Sequence, residues 1–318
     1  VPETVRGPVA DLGATLMHEH VFGLSPEILW NWPDIPEGWD LETRAREAAA
    51  KLDAAGAEGI DTIVDLTVVG LGRHVPAVQR VAELTRVNIV AATGLYTYDA
   101  LPPYFGNRGP GTLFGGPDRL AEFFVRDLTE GIGRTGVKAA ILKCATDQPG
   151  MTKGCERVFR AVAEAHLETG APITTHSHSP SRGGLEQQRL LASLGVDLGR
   201  VVIGHAGDST DVAYLEELVA NGSFIGMDRF GIGTISPFED RVAVVAALCE
   251  RGHAGHMVLG HDSYCFNDRF DAEVVRRRHP DYHLLHVSRD VLPELRRRGV
   301  TEEQIHQMLV DNPRRIFG

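Results

Sequence analysis

Residues Val201–Asp228 read VVIGHAGDSTDVAYLEELVANGSFIGMD. The run Val201–His205 is almost wholly apolar, as a strand buried on both faces of a parallel sheet should be. The segment DVAYLEELVANG, Asp211–Gly222, is amphipathic and stops on glycine, a helix-end signal. A second apolar run, Ser223–Asp228, follows it. Strand, helix and strand in this order make one βαβ unit.

The same alternation extends in both directions. Strand candidates Ala14–His20, Thr62–Thr67, Asn88–Thr93, Ala139–Lys143, Pro172–His176 and His256–Asp262 bring the set to eight. LETRAREAAAKLDAAGAEG (Leu41–Gly59) and CERVFRAVAEAHLETG (Cys155–Gly170) are further amphipathic segments. Eight strand–helix alternations in 318 residues predict an α/β fold, a (β/α)8 TIM barrel forming a single domain over residues 1–318. Length alone, at about 150 residues per domain, would also allow two. The Gly- and Pro-rich stretch Tyr98–Pro117 reads as a long loop after the third strand, and residues 263–290 as a second after the eighth. Barrel enzymes keep their chemistry at the C-terminal ends of the strands, so both loops are expected to wall the substrate.

Hydrophobic residues make up 43% and charged residues 24% of the chain, too apolar a balance for disorder. With 32 basic and 43 acidic residues the net charge is −11, which argues against a nucleic-acid or anionic-membrane surface. No apolar run reaches the roughly 18 residues of a membrane span, and the first residues lack a signal pattern. Because residue 1 is valine rather than methionine, a preceding segment is allowed for. Cys144, Cys155, Cys249 and Cys265 show no CxxC spacing and read as free thiols. A cytoplasmic enzyme is expected.

The strand ends carry the chemistry. In LMHEHVF, His18 and His20 lie two apart and face the same side of a strand. PITTHSH ends on His176 and His178, VVIGHAGD carries His205, and MVLGHD closes on His261 and Asp262. Each alone is an ordinary polar residue closing a strand. Together they gather imidazoles and a carboxylate at four strand ends, where a structural explanation would not concentrate them. Nitrogen donors with one carboxylate suit zinc or another first-row divalent metal. The candidates exceed the three protein ligands of a catalytic zinc site, so a pair of ions fits better, and paired cations need an anion between them. No glutamate closes a strand there, but Lys143 ends KAAILK. An ammonium cannot ligate. A buried neutral amine that adds carbon dioxide becomes a carbamate, which bridges as a carboxylate does. In isolation Lys143 would instead end its strand in water or pair with Asp147 or Asp262.

TLMHEHVF, ILKCATD, PITTHSHS, VVIGHAGDS, GMDRFG and LGHDSYC follow in order, with MLVDNPRRIF near the end. In this the chain resembles bacterial phosphotriesterases and phosphotriesterase-like lactonases of the amidohydrolase superfamily, over nearly its whole length. The resemblance implies a metal-dependent TIM barrel with two divalent ions, zinc first and cobalt, iron or manganese as alternatives. His18, His20 and Asp262 would hold the more buried ion. His176 and His205 would hold the more exposed one, with Lys143, carboxylated on Nζ, bridging. His178 is expected to support the site from outside the ligand set. Glu19 and Cys144 should point away from the ions.

The same resemblance implies attack by a hydroxide shared between the ions, with Asp262 collecting its proton. Tyr96, in GLYTY, matches a tyrosine beside the metals in the lactonase branch, and Arg229, in MDRFG, a residue that shapes the pocket. Structural readings stay open for both: a packed aromatic, and an ion pair with Asp228 or another acid. Tyr264, Phe266 and Phe270 would offer apolar surface to an acyl or aryl group. Lactonase relatives often carry a tryptophan in this last loop; here Trp30, Trp32 and Trp39 all lie earlier, a departure that leaves the acyl preference open. Lactone opening, including N-acyl-homoserine lactones, is the leading expectation, with promiscuous phosphotriester hydrolysis, and a main-role phosphotriesterase is the alternative. A mononuclear deaminase or amidase and a non-catalytic metal-binding relative are weighed beside them. LWNWPDIPEGW (Leu29–Trp39) is expected to cap the barrel or to enter a homodimer interface.

Overall fold

The computed structural model describes residues 1–35 and 38–318. The eight barrel strands are β1 (Thr15–Gly23), β2 (Thr62–Asp65), β3 (Asn88–Gly94), β4 (Ile141–Ala145), β5 (Ile173–His176), β6 (Val201–Ile203), β7 (Phe224–Met227) and β8 (Met257–Leu259). All are parallel and neighbour one another in chain order, and a short strand β9 (Tyr264–Asn267) pairs with the outer stretch of β1. The sheet curls until its ends meet. The Asp262 amide donates to the His18 carbonyl and the His20 amide to the Ser263 carbonyl, both at 2.9 Å. The expected TIM barrel is therefore the observed fold.

Apolar residues on both faces of each strand explain the architecture. Val64, Val90, Ile141, Val202, Phe224 and Val258 fill the barrel interior. Their strand neighbours Ile63, Ile89, Leu142, Ile203 and Ile225 pack outward against helical residues such as Leu52, Val81, Phe159 and Leu215. The alternation puts Lys143 inside, after Leu142, and Cys144 outside. In β1 the ladder with β2 shifts register between Leu16 and Glu19, so that Met17 joins the interior cluster and His18 still turns toward the axis.

The helices follow their end signals. Asp40 caps Leu41–Ala57 by accepting the Thr43 amide, and Ala45, Ala48, Leu52 and Ala55 form its buried stripe. Helix Lys153–Thr169 starts on Thr152 and stops on Gly170, whose φ of 72° suits glycine.

The long loops carry more order than expected. Residues 263–290 contain β9 and a helix, Ala272–Arg278, and the loop after β3 contains the short helix Pro103–Gly106. Trp39 packs against Phe22 and Phe266, whereas Trp30 and Trp32 are 79% and 60% exposed. Pro36 and Glu37 of that segment lie outside the described residues. All four cysteines are buried and unpaired. Among the described residues no helix is long and apolar enough to cross a membrane.

Candidate metal centre

Three strands, β6, β7 and β8, end before the residues expected to do chemistry, and the backbone says why. His205, Arg229 and Asp262 adopt left-handed φ values of 60°, 61° and 57°. Such values are uncommon without glycine and cluster at functional sites. They turn the chain off the ladder and aim the side chains at the barrel mouth. The preceding glycines permit close approach: a Cβ on Gly204 would lie 2.0 Å from the Thr175 carbonyl oxygen.

The predicted donors meet there. His20 Nε2 lies 2.9 Å from Asp262 Oδ1, and His18 Nε2 3.5 Å from the same oxygen. Lys143 Nζ stands 3.3 Å from His18 Nε2. On the other side of the carboxylate, Asp262 Oδ2 is 3.9 Å from His205 Nε2, which lies 2.9 Å from His176 Nδ1. His18, His20, Lys143, His176, His205 and Asp262 thus form one contiguous cluster with Asp262 at its middle.

What each ring does with its other nitrogen fixes which atom is free for a metal. His18 Nδ1 lies 2.9 Å from Asp228 Oδ2, and His205 Nδ1 2.7 Å from Asp228 Oδ1. His20 Nδ1 meets Thr67 Oγ1 at 2.8 Å, and the Thr67 hydroxyl donates to Asp65 at 2.6 Å. In these three, Nε2 is left for ligation. His176 is reversed: its Nε2 lies 3.1 Å from Asp147 Oδ2, leaving Nδ1 inward.

Electrostatics favours the same states. Burial holds the imidazoles of His18 and His205 below their ordinary range and that of His176 down at about 4, so all three are neutral near pH 7, the state in which an imidazole can ligate. Burial alone would raise Asp262, but His18, the His20 contact and Arg229 hold it well below the usual carboxylate range. Lys143 is 1% exposed, and burial brings its amine down to about 8. Its nearest polar partners are His18 Nε2 and, at 3.4 Å, the Thr175 carbonyl; among the described residues no carboxylate stands within ion-pair reach of it. Burial thus gives this lysine more neutral amine near pH 7 than an exposed lysine has, as an amine that reacts requires.

His18, His205 and Asp228 also satisfy the spacing for an ion. We assign Asp228 to hydrogen bonding, because it faces the Nδ1 atoms while the Nε2 atoms face Lys143 and Asp262.

Of the other residues singled out in the sequence, Arg229 donates to Asp262 Oδ2 at 3.1 Å and to Asp208 Oδ2 at 2.9 Å, answering the open question of its partner. The Tyr96 ring stands edge-on to His176, centroids 5.3 Å apart, and burial pushes its hydroxyl pKa up. Tyr264 stacks on His20 at 4.3 Å. Phe266 departs from expectation: it packs on Trp39 and the outer core rather than facing the donors, and Phe270 is 60% exposed. His178 also departs. It bonds Ser181, and the support expected of it comes from Asp147. Glu19 does point away, into a buried network with His261 and Ser263. Asp228, Asp147, Thr67 and Asp65 escaped the sequence reading as functional residues, although Asp228 closes its strand just as His205 does. A cavity of about 920 Å³ opens elsewhere, between the loops after β1 and β2, lined by Leu24, Ile28, Arg73 and Arg134.

Comparison with known proteins places the whole chain in one family. A phosphotriesterase from Mycobacterium tuberculosis superposes with a TM-score of 0.96 at 58% identity, over 99% of this chain and 98% of that one. An aryldialkylphosphatase from Saccharolobus solfataricus is 38% identical over 96% of this chain and 95% of its own. A solved structure from the engineering of organophosphate hydrolysis into a weak promiscuous lactonase template is 34% identical, with a TM-score of 0.89 over the whole of both chains. Residues 2–317 match the phosphotriesterase family, and to that family this chain belongs.

Proposed function

We propose that the protein is a binuclear-metal hydrolase that opens lactones, N-acyl-homoserine lactones among them, with organophosphate triester hydrolysis as a side activity. The single observation that carries this reading is Lys143. Its amine is buried with no carboxylate within ion-pair reach among the described residues, beside His18, whose Nδ1 is already engaged by Asp228. Addition of carbon dioxide forms an N–C bond, releases a proton and turns the amine into an anionic carbamate able to bridge two cations. His18, His20 and Asp262 would hold one ion, and His176 and His205 the other. Zinc suits this set best, with cobalt, iron or manganese as substitutes. When bound, such a pair would supply an acidified water nucleophile and a Lewis acid for the carbonyl or phosphoryl oxygen of the substrate.

The chain's own residues supply the rest. Asp262 would accept the proton released from the nucleophile, and Arg229 steadies its Oδ2. Arg229 is in turn anchored through Asp208, which Arg241 grips at 2.7 Å. The Tyr96 hydroxyl stays protonated near neutral pH and can donate to a lactone oxygen. Tyr264 offers a flat wall beside His20. Tyr96 and the lactonase-template relative support lactones; the aryldialkylphosphatase relative supports the alternative, a main-role phosphotriesterase.

The deciding experiment is kcat/KM for a lactone series beside an aryl phosphotriester on one zinc- or cobalt-loaded preparation. We expect lactones to lead, and a phosphotriester ahead of every lactone reverses the ranking. One ion per chain at saturation would favour a mononuclear deaminase or amidase. Full loading without turnover would favour a non-catalytic relative. We further propose a homodimer, supported by the exposed Trp30 and Trp32; a monomeric mass by light scattering rejects it.

A further inference from the structure

Asp228 touches both halves of the donor cluster. Oδ2 accepts from the His18 ring at 2.9 Å and from the His205 backbone amide at 3.2 Å, while Oδ1 accepts from the His205 ring at 2.7 Å. The two rings stand nearly parallel, centroids 4.8 Å apart and 24° between planes, as paired arms rising from one carboxylate. The backbone that carries this carboxylate is itself pinned, whereas among the described residues the only groups that hold the carboxylate are His18 and His205. Asp228 is 2% exposed, and its carbonyl accepts from Arg241 at 2.9 Å. Arg241, also 2% exposed, holds the Gly207 carbonyl and Asp208 as well.

The other outer partners each serve one ring, Thr67 for His20 and Asp147 for His176. We propose that Asp228 is the positioning residue that couples the two ion sites, so that ordering one histidine for its ion prepares the other. This rests on the binuclear reading above. The physical route is shared ordering: once His18 is fixed by an ion, Asp228 is fixed, and His205 no longer bears that cost when the second ion binds. Coupling of this kind is reciprocal, so either ion should promote the other.

The test is zinc content and zinc affinity, by elemental analysis and competition with a chromogenic chelator, on the parent chain, Asp228→Asn, Asp147→Asn and Thr67→Val. Two ions in the parent uphold the binuclear reading, and one ion defeats it independently of Asp228. We expect Asp228→Asn to weaken both ions, each by about 10–100-fold, and the other two variants to weaken one ion each. Loss of a single ion in Asp228→Asn overturns the proposal, whether because Asp228 is itself a ligand or because the coupling runs elsewhere; so does unchanged affinity. If that variant does not fold, histidine nitrogen NMR of the zinc-loaded parent decides: His18 and His205 must both carry their proton on Nδ1, and an Nε2 proton on either refutes the bridge.

Discussion

His20 and His176 stand at opposite ends of the donor cluster and are braced in opposite ways. His20 leans through Nδ1 on Thr67 and, behind it, on Asp65, which is 4% exposed. His176 leans through Nε2 on Asp147, whose side chain is 31% exposed in the loop after β4. One end is tied into the barrel wall; the other depends on a group that water reaches. The same imidazole chemistry is therefore expected to hold metal with different security at the two ends, because water competes for hydrogen bonds and screens charge at one of them only.

The largest effect should come from the residue proposed to bridge both ends. Lys143→Met is expected to lower turnover about a thousandfold or more, a loss of several kcal/mol of transition-state stabilisation. Elemental analysis of the same protein should find at most one ion. Full activity with two ions would remove the bridging role and with it the contrast between the ends.

Next, Asp147→Asn should weaken the ion on the His176 side about 10–100-fold while sparing the other, and Thr67→Val should do the reverse. Stepwise zinc release measured on the two variants checks this. Equal losses at both sites in either variant would mean that the ends are not separately braced.

Acid should reveal the same asymmetry in metal-free protein. Burial holds His176 down at about 4 in the folded state, against an ordinary 6.5 in the unfolded chain. Between those values the unfolded chain takes up the proton first, so stability falls as pH drops through 6.5 and levels off below about 4. His18 and His205, also lowered by burial, act in the same direction. Asp147 opposes part of the shift, and Asp147→Asn should extend the sensitive range to lower pH. Melting temperature against pH for both proteins is the measurement, and a flat profile contradicts the neutral, buried rings.

The smallest effect should come from a site touching neither end. Thr301 caps helix Glu302–His306 through a reciprocal pair with Gln304. Thr301→Ala should cost about 1 kcal/mol of stability, read by denaturant unfolding, with zinc content and kcat unchanged.

These contrasts also mark how far the sequence could be read. The barrel was legible because strands such as Val201–His205 are apolar on both faces and end in a polar residue. The clustering of the candidate donors was legible because strand ends converge in such a fold. The bracing was not, since it joins residues far apart in the chain: Asp228 with His18 across 210 positions, Thr67 with His20 across 47. His178 was misassigned because the chain turns after His176 into the short helix Ser179–Ser181, which takes that ring away from the donors. Phe266 was misjudged because β9 packs against Trp39 and the outer core, an arrangement periodicity alone does not reveal.

One detail of the fold reaches beyond catalysis. Seven of the eight strand junctions are spanned by the chain itself, and the eighth, between β8 and β1, is joined by the Asp262 and His20 amides. Asp262 and His18 face each other across that same junction. An ion gripped by both would serve as the clasp of a hoop, so that stripping the metal loosens the ring where it has no covalent link. Hydrogen exchange at the His20 and Asp262 amides should then quicken before any other part of the wall begins to give.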